Sequence, residues 1–410
     1  MIKKIEIFLF ILFLFMQNFA LIKTSSFGVA ALTVFLIYLT IKYGFYLKIN
    51  LQFLICSIVL ISLSLVSSQI NQFYNISQII RLVMVIFIVW SANKYVYKIY
   101  SMNCLEQFWK YFYFIAFITC LYGIYQYLAS LHGLPLFLNI FNNNPSYMPK
   151  TVYDYYGGWT DSNSRVYGIF SEPSFYALFL VYCFLMLFFK PYNKIKTIIL
   201  SLLILINIFL TYARSGWAIL FYCIGIMIAF FIFKRATIIR KIISLIFIFI
   251  PFINLSIMYK LQQNTFTDLS SYGRTFSAIY YLKNSYDTVT HFLFGHGLGF
   301  ISAQTADKYL QMYVENYSHN GYVEILYSLG IPILVSTIII LYKNINKIKV
   351  YKYRIITFAA IFTVCSFGAS YNIESIIAII TIIFTISKIK SRNVKDLDYG
   401  KHKKLKFVCK

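Results

Sequence analysis

The amino-acid sequence predicts an all-α polytopic membrane protein with about 12 transmembrane helices. The first observation behind this prediction is composition: hydrophobic residues make up 60% of the 410 residues, aromatic residues make up 20%, and the mean hydropathy is +0.70. The second is the length of apolar runs such as Ile7–Leu21 and Ile199–Leu210. With their flanks these runs reach about 20 residues, which matches the hydrocarbon thickness of a bilayer. The first run follows Lys3 and Lys4, as in a secretory signal, but no small-residue cleavage site follows it, so we expect a retained span.

The predicted spans alternate with polar connections, and residues 1–410 form a single integral membrane domain in this prediction. The spans lie near residues 6–22, 26–42, 51–67, 77–93, 111–130, 172–189, 197–212, 215–233, 242–258, 321–342, 355–369 and 372–387. Two connections are long: 131–171 between spans 5 and 6, and 259–320 between spans 9 and 10. Residues 388–410 form a basic tail.

The distribution of charge orients these spans. The connections that would share a side with both termini contain 28 of the 37 basic residues and 4 of the 13 acidic residues, so the whole net charge of +24 falls on that side. The positive-inside rule makes this side cytoplasmic. We therefore expect cytoplasmic termini, a tail that lies next to anionic lipid, and two long loops on the external face. The charge is a topology signal and does not indicate nucleic-acid binding.

The cysteines indicate neither a disulfide framework nor a metal site. All seven fall in predicted spans or in segments placed on the cytoplasmic side. No CxxC pattern is present, and the two long external loops contain no cysteine.

The external ends of spans 6, 8 and 10 each carry a polar signature. Pro173 suits the first turn of span 6, where its missing N–H group costs nothing. Arg165 precedes that span, Arg214 begins span 8, and Arg274 lies in the second long loop. Helix N-termini offer unpaired N–H groups and about half a unit of positive charge. Together with the arginines, three such ends could form a site for a phosphate or pyrophosphate.

Each arginine also has a structural interpretation. Arg165 and Arg274 could be loop residues that pair with nearby aspartates, with neither interpretation preferred. Arg214 lies in a tight connection between two spans, where a charge is costly, so a functional role is favoured. For Arg81, near the external end of span 4, a structural pairing with Glu374 or a lipid headgroup and a role in the site are equally plausible.

Two residues compete for the role of a general base. His319 immediately precedes span 10, and a helix dipole at this position disfavours the charged imidazolium and keeps the ring neutral at pH 7. Such a ring can accept a proton from a sugar hydroxyl. Glu172, at the start of span 6, is the alternative base. Glu315 could orient the His319 ring, although a solvated loop acid is the simpler interpretation, and Ser215 and Asn320 are supporting candidates.

The glycine cluster Gly295-His296-Gly297-Leu298-Gly299 predicts a tight turn. Its spacing resembles a phosphate-binding loop, but the strand-turn-helix context of such loops is missing. We therefore expect a turn in which the backbone makes a close approach, with a structural role for His296.

Taken together, these motifs resemble the O-antigen ligase and polymerase superfamily of bacterial membrane glycosyltransferases. The resemblance covers residues 160–340, and the five N-terminal spans agree with it by topology alone. The matching elements, in order, are Arg165-x-x-Gly168-x-Phe170-x-Glu172-Pro173-Ser174, Thr211-Tyr212-Ala213-Arg214-Ser215-Gly216, Arg274, Phe294-Gly295-His296-Gly297-Leu298-Gly299-Phe300 and the segment from His319-Asn320-Gly321 to Gly330-Ile331-Pro332.

The resemblance implies a metal-independent and cofactor-independent enzyme whose donor is an oligosaccharide on undecaprenyl pyrophosphate. Arg165, Arg214 and Arg274 would bind the pyrophosphate, and His319 would act as the base. The enzyme would lie in the bacterial cytoplasmic membrane with its active site on the external face. Its partners would be lipid-linked donor and acceptor glycans and, as a further expectation, a chain-length regulator protein.

The Glu172-Pro173-Ser174 triplet bears on the kind of transfer. Many ligases of the superfamily have a Pro-Asn pair here, whereas the Glu-Pro-Ser form is associated more with polymerases. The resemblance therefore favours a polymerase of surface-polysaccharide repeat units. A ligase that transfers glycan to a lipid or protein acceptor is the alternative, and a flippase for lipid-linked sugars is the second. The triplet also leaves open whether His319 or Glu172 is the base.

Overall fold

The structure is a computed structural model that describes most of the chain. The described residues are 4–23, 28–48, 51–70, 76–136, 141, 143–144, 165–170, 172–189, 193–234, 236, 238–249, 269–297, 320–366 and 374–399.

These residues are mostly helical, as the sequence predicted. The described helices are α1 Lys4–Phe15, α2 Ala31–Lys42, α3 Leu51–Ile70, α4 Ile76–Ser101, α5 Leu105–His132, α6 Pro173–Leu187, α7 Lys194–Leu210, α8 Arg214–Ile232, α9 238–249, α10 Leu269–Asn284, α11 Val289–Phe294, α12 Gly321–Leu329, α13 Ile331–Asn346, α14 Tyr351–Ser366 and α15 Glu374–Tyr399. A short 3-10 helix covers Phe45–Lys48. Strands β1 (Ala20–Lys23) and β2 (Gly28–Ala30) form a small antiparallel pair.

Four of these helices are long and apolar enough to cross a membrane by length and composition. They are α3, α4, α5 and α8, whereas α2, α6 and α13 are apolar but shorter. Large apolar side chains remain exposed on their outer faces, for example Ile58 on α3 and Phe231 on α8, which is 76% exposed. Apolar surface of this kind suits contact with lipid. A helical membrane protein is therefore confirmed, and the number of twelve spans stays a prediction.

Helix α6 is the centre of the bundle. It is apolar on all sides, and a helix of that composition must be buried by neighbours. Helices α7, α8, α14 and α15 pack around it. Its large side chains Tyr176, Phe179 and Tyr182 are fully buried. The start of α6 is therefore packed against the start of α8 and lies beside the end of α7.

Several basic connections meet at one end of this bundle. The Lys390 ammonium donates to the Phe189 carbonyl (3.1 Å), and the Tyr351 hydroxyl donates to the Phe230 carbonyl (2.6 Å). The Arg240 guanidinium lies over the Tyr351 ring at 5.2 Å. These contacts join the end of α6 to α15, the end of α8 to the start of α14, and the start of α9 to the start of α14. The charge distribution assigned all of these segments to one face.

The directions of paired helices agree with the predicted alternation. Arg81 and Glu374 attract each other at the starts of α4 and α15. The Asn93 amide donates to the Thr385 hydroxyl at 2.9 Å about three turns further along both helices. The two helices therefore run parallel, as two even-numbered spans must. Arg81 therefore lies within electrostatic reach of Glu374, and its role in the site stays a prediction.

Spans 1 and 2 are shorter as helices than the sequence predicted. The run predicted at 6–22 is helical to Phe15, and residues 20–23 form β1. Asn18 explains the change, because its backbone carbonyl accepts from the N–H groups of Asn143 and Asn144 at 3.1 Å. Backbone groups used in this way are not available to a helix. Within the run predicted at 26–42, residues Gly28–Ala30 form β2 and the helix begins at Ala31.

Span 10, predicted as one helix over 321–342, is broken in two. Gly330 has φ +80°, a left-handed conformation that favours glycine, and it separates α12 from α13. Pro332 then suits the first turn of α13. A Cβ atom at Gly330 would lie 2.3 Å from the Leu293 carbonyl oxygen, so this break is where the chain before the glycine cluster packs.

The predicted loop at 259–320 and the predicted tail at 388–410 both contain helix. Helices α10 and α11 lie within the former. Helix α15 continues to Tyr399, twelve residues beyond the predicted end of span 12 at residue 387. Hydropathy marks the apolar part of a helix, and α15 extends past it because a helix can continue into a polar, charged segment.

Candidate active site

Arg165 precedes α6 in the chain, and its side chain contacts the C-terminal end of α7. It thereby connects two parts of the predicted anion site. Its guanidinium donates from Nε to the Thr211 carbonyl (3.0 Å) and from Nη2 to the Tyr212 carbonyl (3.2 Å). The Val166 N–H group donates to the Leu210 carbonyl at 3.1 Å. The last carbonyls of a helix have no partner within the helix, and arginine satisfies them well. Arg165 is thus held directly beside the turn that leads into Arg214.

The turn between α7 and α8 is short and fixed. Tyr212 has φ +47°, which is uncommon for a residue with a side chain. Its side chain is hydrogen-bonded to that of Tyr127 on α5. The Ala213 N–H group donates to the Thr211 hydroxyl at 3.2 Å. Arg214 follows as the first residue of α8 and is exposed. Its positive charge therefore lies at a helix N-terminus, two residues after the carbonyl that Arg165 contacts.

The starts of α6 and α8 converge through a close contact between small residues. A Cβ atom at Gly216, in the first turn of α8, would lie 2.4 Å from the Cβ atom of Ala177 on α6. Such an approach requires glycine at this position. Glu172 precedes α6 as its N-cap residue, and one of its carboxylate oxygens accepts from the Ser174 hydroxyl at 3.0 Å. The Glu172 carboxylate and the two arginines therefore belong to neighbouring helix ends.

Gln126 holds the segment that carries Arg165, and it is a residue that the sequence analysis missed. Its side-chain oxygen accepts from the N–H groups of Gly168 (2.8 Å) and Tyr167 (3.3 Å), and its Nε2 donates to the Gly168 carbonyl (2.9 Å). Gln126 is 3% exposed. A polar residue in an apolar span needs hydrogen-bond partners, so its position within the predicted span 111–130 was a usable signal.

We expect the substitution Gln126→Leu to lower the free energy of unfolding by about 1–3 kcal/mol, because it leaves buried backbone groups of the turn without a partner. Thermal unfolding of the purified protein in detergent measures this loss. Tyr125→Phe is a matched control, since it also removes one side chain's hydrogen bond, that to the Pro135 carbonyl, at a partly exposed position. Equal losses in the two variants would contradict a special role for Gln126.

Helix α12 begins at Gly321, as predicted, but its neighbours differ from those of α6 and α8. The Asn320 side chain caps it by accepting from the N–H groups of Tyr322 (3.0 Å) and Val323 (3.2 Å). The helix packs against α3, α10, α11 and α14. The structure therefore brings the starts of α6 and α8 together, and the convergence of α12 with them stays a prediction.

The remaining candidates are described only in part. His319 and Glu315 lie outside the described residues. Arg274 is in α10, and its side chain is not among the described ones. The Ser215 hydroxyl oxygen is buried in the first turn of α8 and makes no hydrogen bond within the described part of the chain.

The described part of the glycine cluster, residues 295–297, forms a tight turn, as predicted, and this turn packs on the break between α12 and α13. Gly295 and Gly297 have φ values of +70° and +92°. The His296 N–H group donates to the Tyr327 carbonyl at 2.7 Å, and the Gly297 N–H group donates to the Ser328 carbonyl at 3.1 Å. Glycine is required because a Cβ atom at Gly295 would lie 2.4 Å from the Leu329 backbone nitrogen. This turn has a structural role.

His296 is buried within this turn. Its ring stacks on that of Tyr327 at a centroid distance of 4.1 Å and on that of His291 at 3.8 Å. Burial, followed by the nearby charge of His291, lowers the pKa of His296 to about 4. The ring is therefore neutral at pH 7, as its buried position requires.

These features define a helical membrane protein with two arginines at neighbouring helix ends. The family described as O-Antigen ligase matches residues 199–338, about a third of the chain. This match supports the predicted resemblance to the O-antigen ligase and polymerase superfamily. The matched residues extend from α7 into α13 and include Arg214 and Arg274, whereas Arg165 and Glu172 precede them. No curated protein matches the chain.

Proposed function

We propose that this protein polymerises oligosaccharide repeat units carried on undecaprenyl pyrophosphate into a surface polysaccharide. The observation that carries the proposal is the position of Arg165, which contacts the two carbonyls just before Arg214 in a chain that resembles this superfamily. Two guanidinium groups at neighbouring helix ends can offer hydrogen bonds to phosphate oxygens. Pyrophosphate is the charged group that a lipid-linked donor would present there.

In the proposed reaction an acceptor sugar hydroxyl attacks the anomeric carbon of the donor. The new glycosidic bond forms as the bond from that carbon to the pyrophosphate oxygen breaks, with inversion at carbon. Undecaprenyl pyrophosphate leaves, and the base takes the hydroxyl proton. Arg165, Arg214 and Arg274 stabilise the charge that grows on the leaving group, which is the main electrostatic contribution to catalysis. The N-termini of α6 and α8 add partial positive charge to the same region.

His319 is our first candidate for the base, and Glu172 is the second. His319 directly precedes Asn320, the N-cap residue of α12, where a neutral imidazole is favoured. The Glu172 carboxylate lies at the start of α6 beside the arginine-bearing turn and is oriented by Ser174. Ser215 and Asn320 would help to position the reacting groups. Glu315 would orient the His319 ring, and Arg81, near the start of α4, would be a further supporting residue.

A ligase is the alternative function, favoured by the description of the matching family. It would use the same donor site and transfer the glycan to a lipid or protein acceptor. A flippase is the second alternative, in which the arginines would hold the lipid-linked sugar during transport. For each of these functions we propose the bacterial cytoplasmic membrane as the location and the external face as the side of the site. A chain-length regulator is a further proposed partner of the polymerase.

Deletion of the gene in its host, with restoration from a plasmid, distinguishes these functions. We expect surface glycans that carry single repeat units and have lost the long polymer, because a ligase elsewhere would still attach single units. Loss of all attached glycan would indicate a ligase instead. Accumulation of lipid-linked units on the cytoplasmic leaflet would indicate a flippase.

A further inference from the structure

A second group of side chains lies in the segment that precedes α12. Asp287, His291 and His296 bring one oxygen and two nitrogen atoms within 4.8 Å of one another. His291 Nδ1 is 2.6 Å from one carboxylate oxygen of Asp287, and His296 Nε2 is 3.8 Å from the other. The side chains of Asp287 and His291 are 43% and 24% exposed, whereas that of His296 is 5% exposed. His296 is therefore buried, whereas Asp287 and His291 are accessible to solvent.

Local structure fixes the backbone beneath these three side chains. The Thr288 hydroxyl caps α11 by accepting from the His291 N–H group at 3.0 Å. Asp287 directly precedes this cap, and its carboxylate contacts the His291 ring four residues further along the chain. His296 is anchored through its backbone to Tyr327 at 2.7 Å. The three candidate ligands thus come from a capped helix start and from a turn that is locked onto α12.

We propose that Asp287, His291 and His296 form a binding site for a divalent transition-metal ion of the zinc type. Two imidazole nitrogens and one carboxylate oxygen are a donor set that suits Zn²⁺, Co²⁺ or Ni²⁺. Mg²⁺ and Ca²⁺ prefer oxygen ligands, so this set disfavours them. The remaining coordination position would be open to water, as in other zinc sites with three protein ligands.

Binding requires a rotation of the His291 side chain. Its ring is stacked on the His296 ring with an interplanar angle of 28°, and two stacked rings do not direct their lone pairs at one ion. His291 is partly exposed and belongs to a helix whose backbone is already capped, so side-chain torsions alone can bring its nitrogen onto the ion. The neutral form of His296 is the form that coordinates a metal.

A bound ion would link the start of α11 to the turn that packs on the α12–α13 break. The ion would therefore stabilise the packing of α11 against the α12–α13 break. This role does not depend on the proposed glycosyl transfer. A metal ion that binds the folded state and not the unfolded state raises the unfolding temperature in proportion to the logarithm of the free metal concentration.

The test uses the full-length protein in detergent, purified without a polyhistidine tag and treated with a chelator. Zinc is added, and bound metal is measured by equilibrium dialysis while the unfolding temperature is recorded. We expect one Zn²⁺ ion per chain, a rise in the unfolding temperature with Zn²⁺, and no rise with Mg²⁺. His291→Ala and Asp287→Asn each weaken binding at least about tenfold. His132→Ala, at the exposed end of α5, is the matched control and leaves binding unchanged.

His291 and Asp287 are the informative positions because both are partly exposed, so their substitution preserves the fold. Circular dichroism and the unfolding temperature without metal check that preservation. Zinc affinity that is unchanged in both variants, or that falls equally in His132→Ala, would overturn the proposal. So would the absence of stoichiometric zinc binding in the folded wild-type protein.

Discussion

Arg214→Ala should lower the rate of glycan transfer by about 100-fold to 1,000-fold, which is the usual cost of removing one group that stabilises transition-state charge. The reason is its position as the first residue of α8, where its guanidinium and the helix N-terminus act on the same leaving group. Arg214 is exposed, so the protein should unfold at nearly the same temperature as the wild type. Arg214→Lys should recover part of the rate, since it keeps the charge and loses the forked geometry.

Arg240→Ala is the matched control for Arg214→Ala. Arg240 lies at the opposite end of the bundle, over the Tyr351 ring. The substitution Arg240→Ala should therefore leave the transfer rate within about twofold of the wild-type rate, as a substitution distant from the reacting groups usually does. A folded Arg214→Ala protein with the wild-type rate, measured with saturating lipid-linked donor, would remove this residue from the site.

Gly216→Ala should have the second large effect, because the new methyl group would meet Ala177 at 2.4 Å between Cβ atoms. Overpacking in a dense contact costs about 1–3 kcal/mol of unfolding free energy. It should also push apart the starts of α6 and α8, which carry Glu172 and Arg214. A displacement of about 1 Å can lower an enzyme's rate by about 100-fold.

The compensating variant gives this prediction its control. Gly216→Ala combined with Ala177→Gly restores the space between the two helices while it keeps the same total side-chain content. The double variant should recover most of the lost stability and rate, so the two substitutions should be strongly non-additive. Thermal unfolding and transfer rate are measured on all four proteins of the cycle. Additive losses would show that the α6–α8 contact does not position the site.

The helix starts around the site could be predicted from local signals. Pro173 marked the start of α6, and the polar residues at Arg214 and Asn320 marked the starts of α8 and α12 to within a residue. Such signals are readable because capping and first-turn residues act on the backbone beside them. Predicted spans 1 and 2 were too long as helices, and predicted span 10 contains a break at Gly330, for the opposite reason. Hydropathy averages over many residues, so one glycine with a positive φ at Gly330 does not show in it.

The contacts within the site depended on tertiary structure. Sequence placed Arg165 and Arg214 near the same surface, but only packing shows that Arg165 contacts the carbonyl at Tyr212. Gln126 escaped prediction because its hydrogen-bond partners are distant in the chain. The group around Asp287 escaped prediction because one of its members lies on a turn whose conformation could not be predicted. His319, the residue most important for the chemistry we propose, lies outside the described residues, so its role rests on resemblance and on the cap at Asn320.

Reconstitution tests the central claim most directly. The purified protein is placed in liposomes with an undecaprenyl-pyrophosphate-linked repeat unit as the sole glycan, and chain length and released undecaprenyl pyrophosphate are measured together for the wild type, Arg214→Ala and His319→Ala. Our account predicts polymer in the wild type, with one undecaprenyl pyrophosphate released for each glycosidic bond, and little of either product in the two variants. Chain growth that persists in both folded variants, or a folded wild-type protein that forms no glycosidic bond, would contradict it.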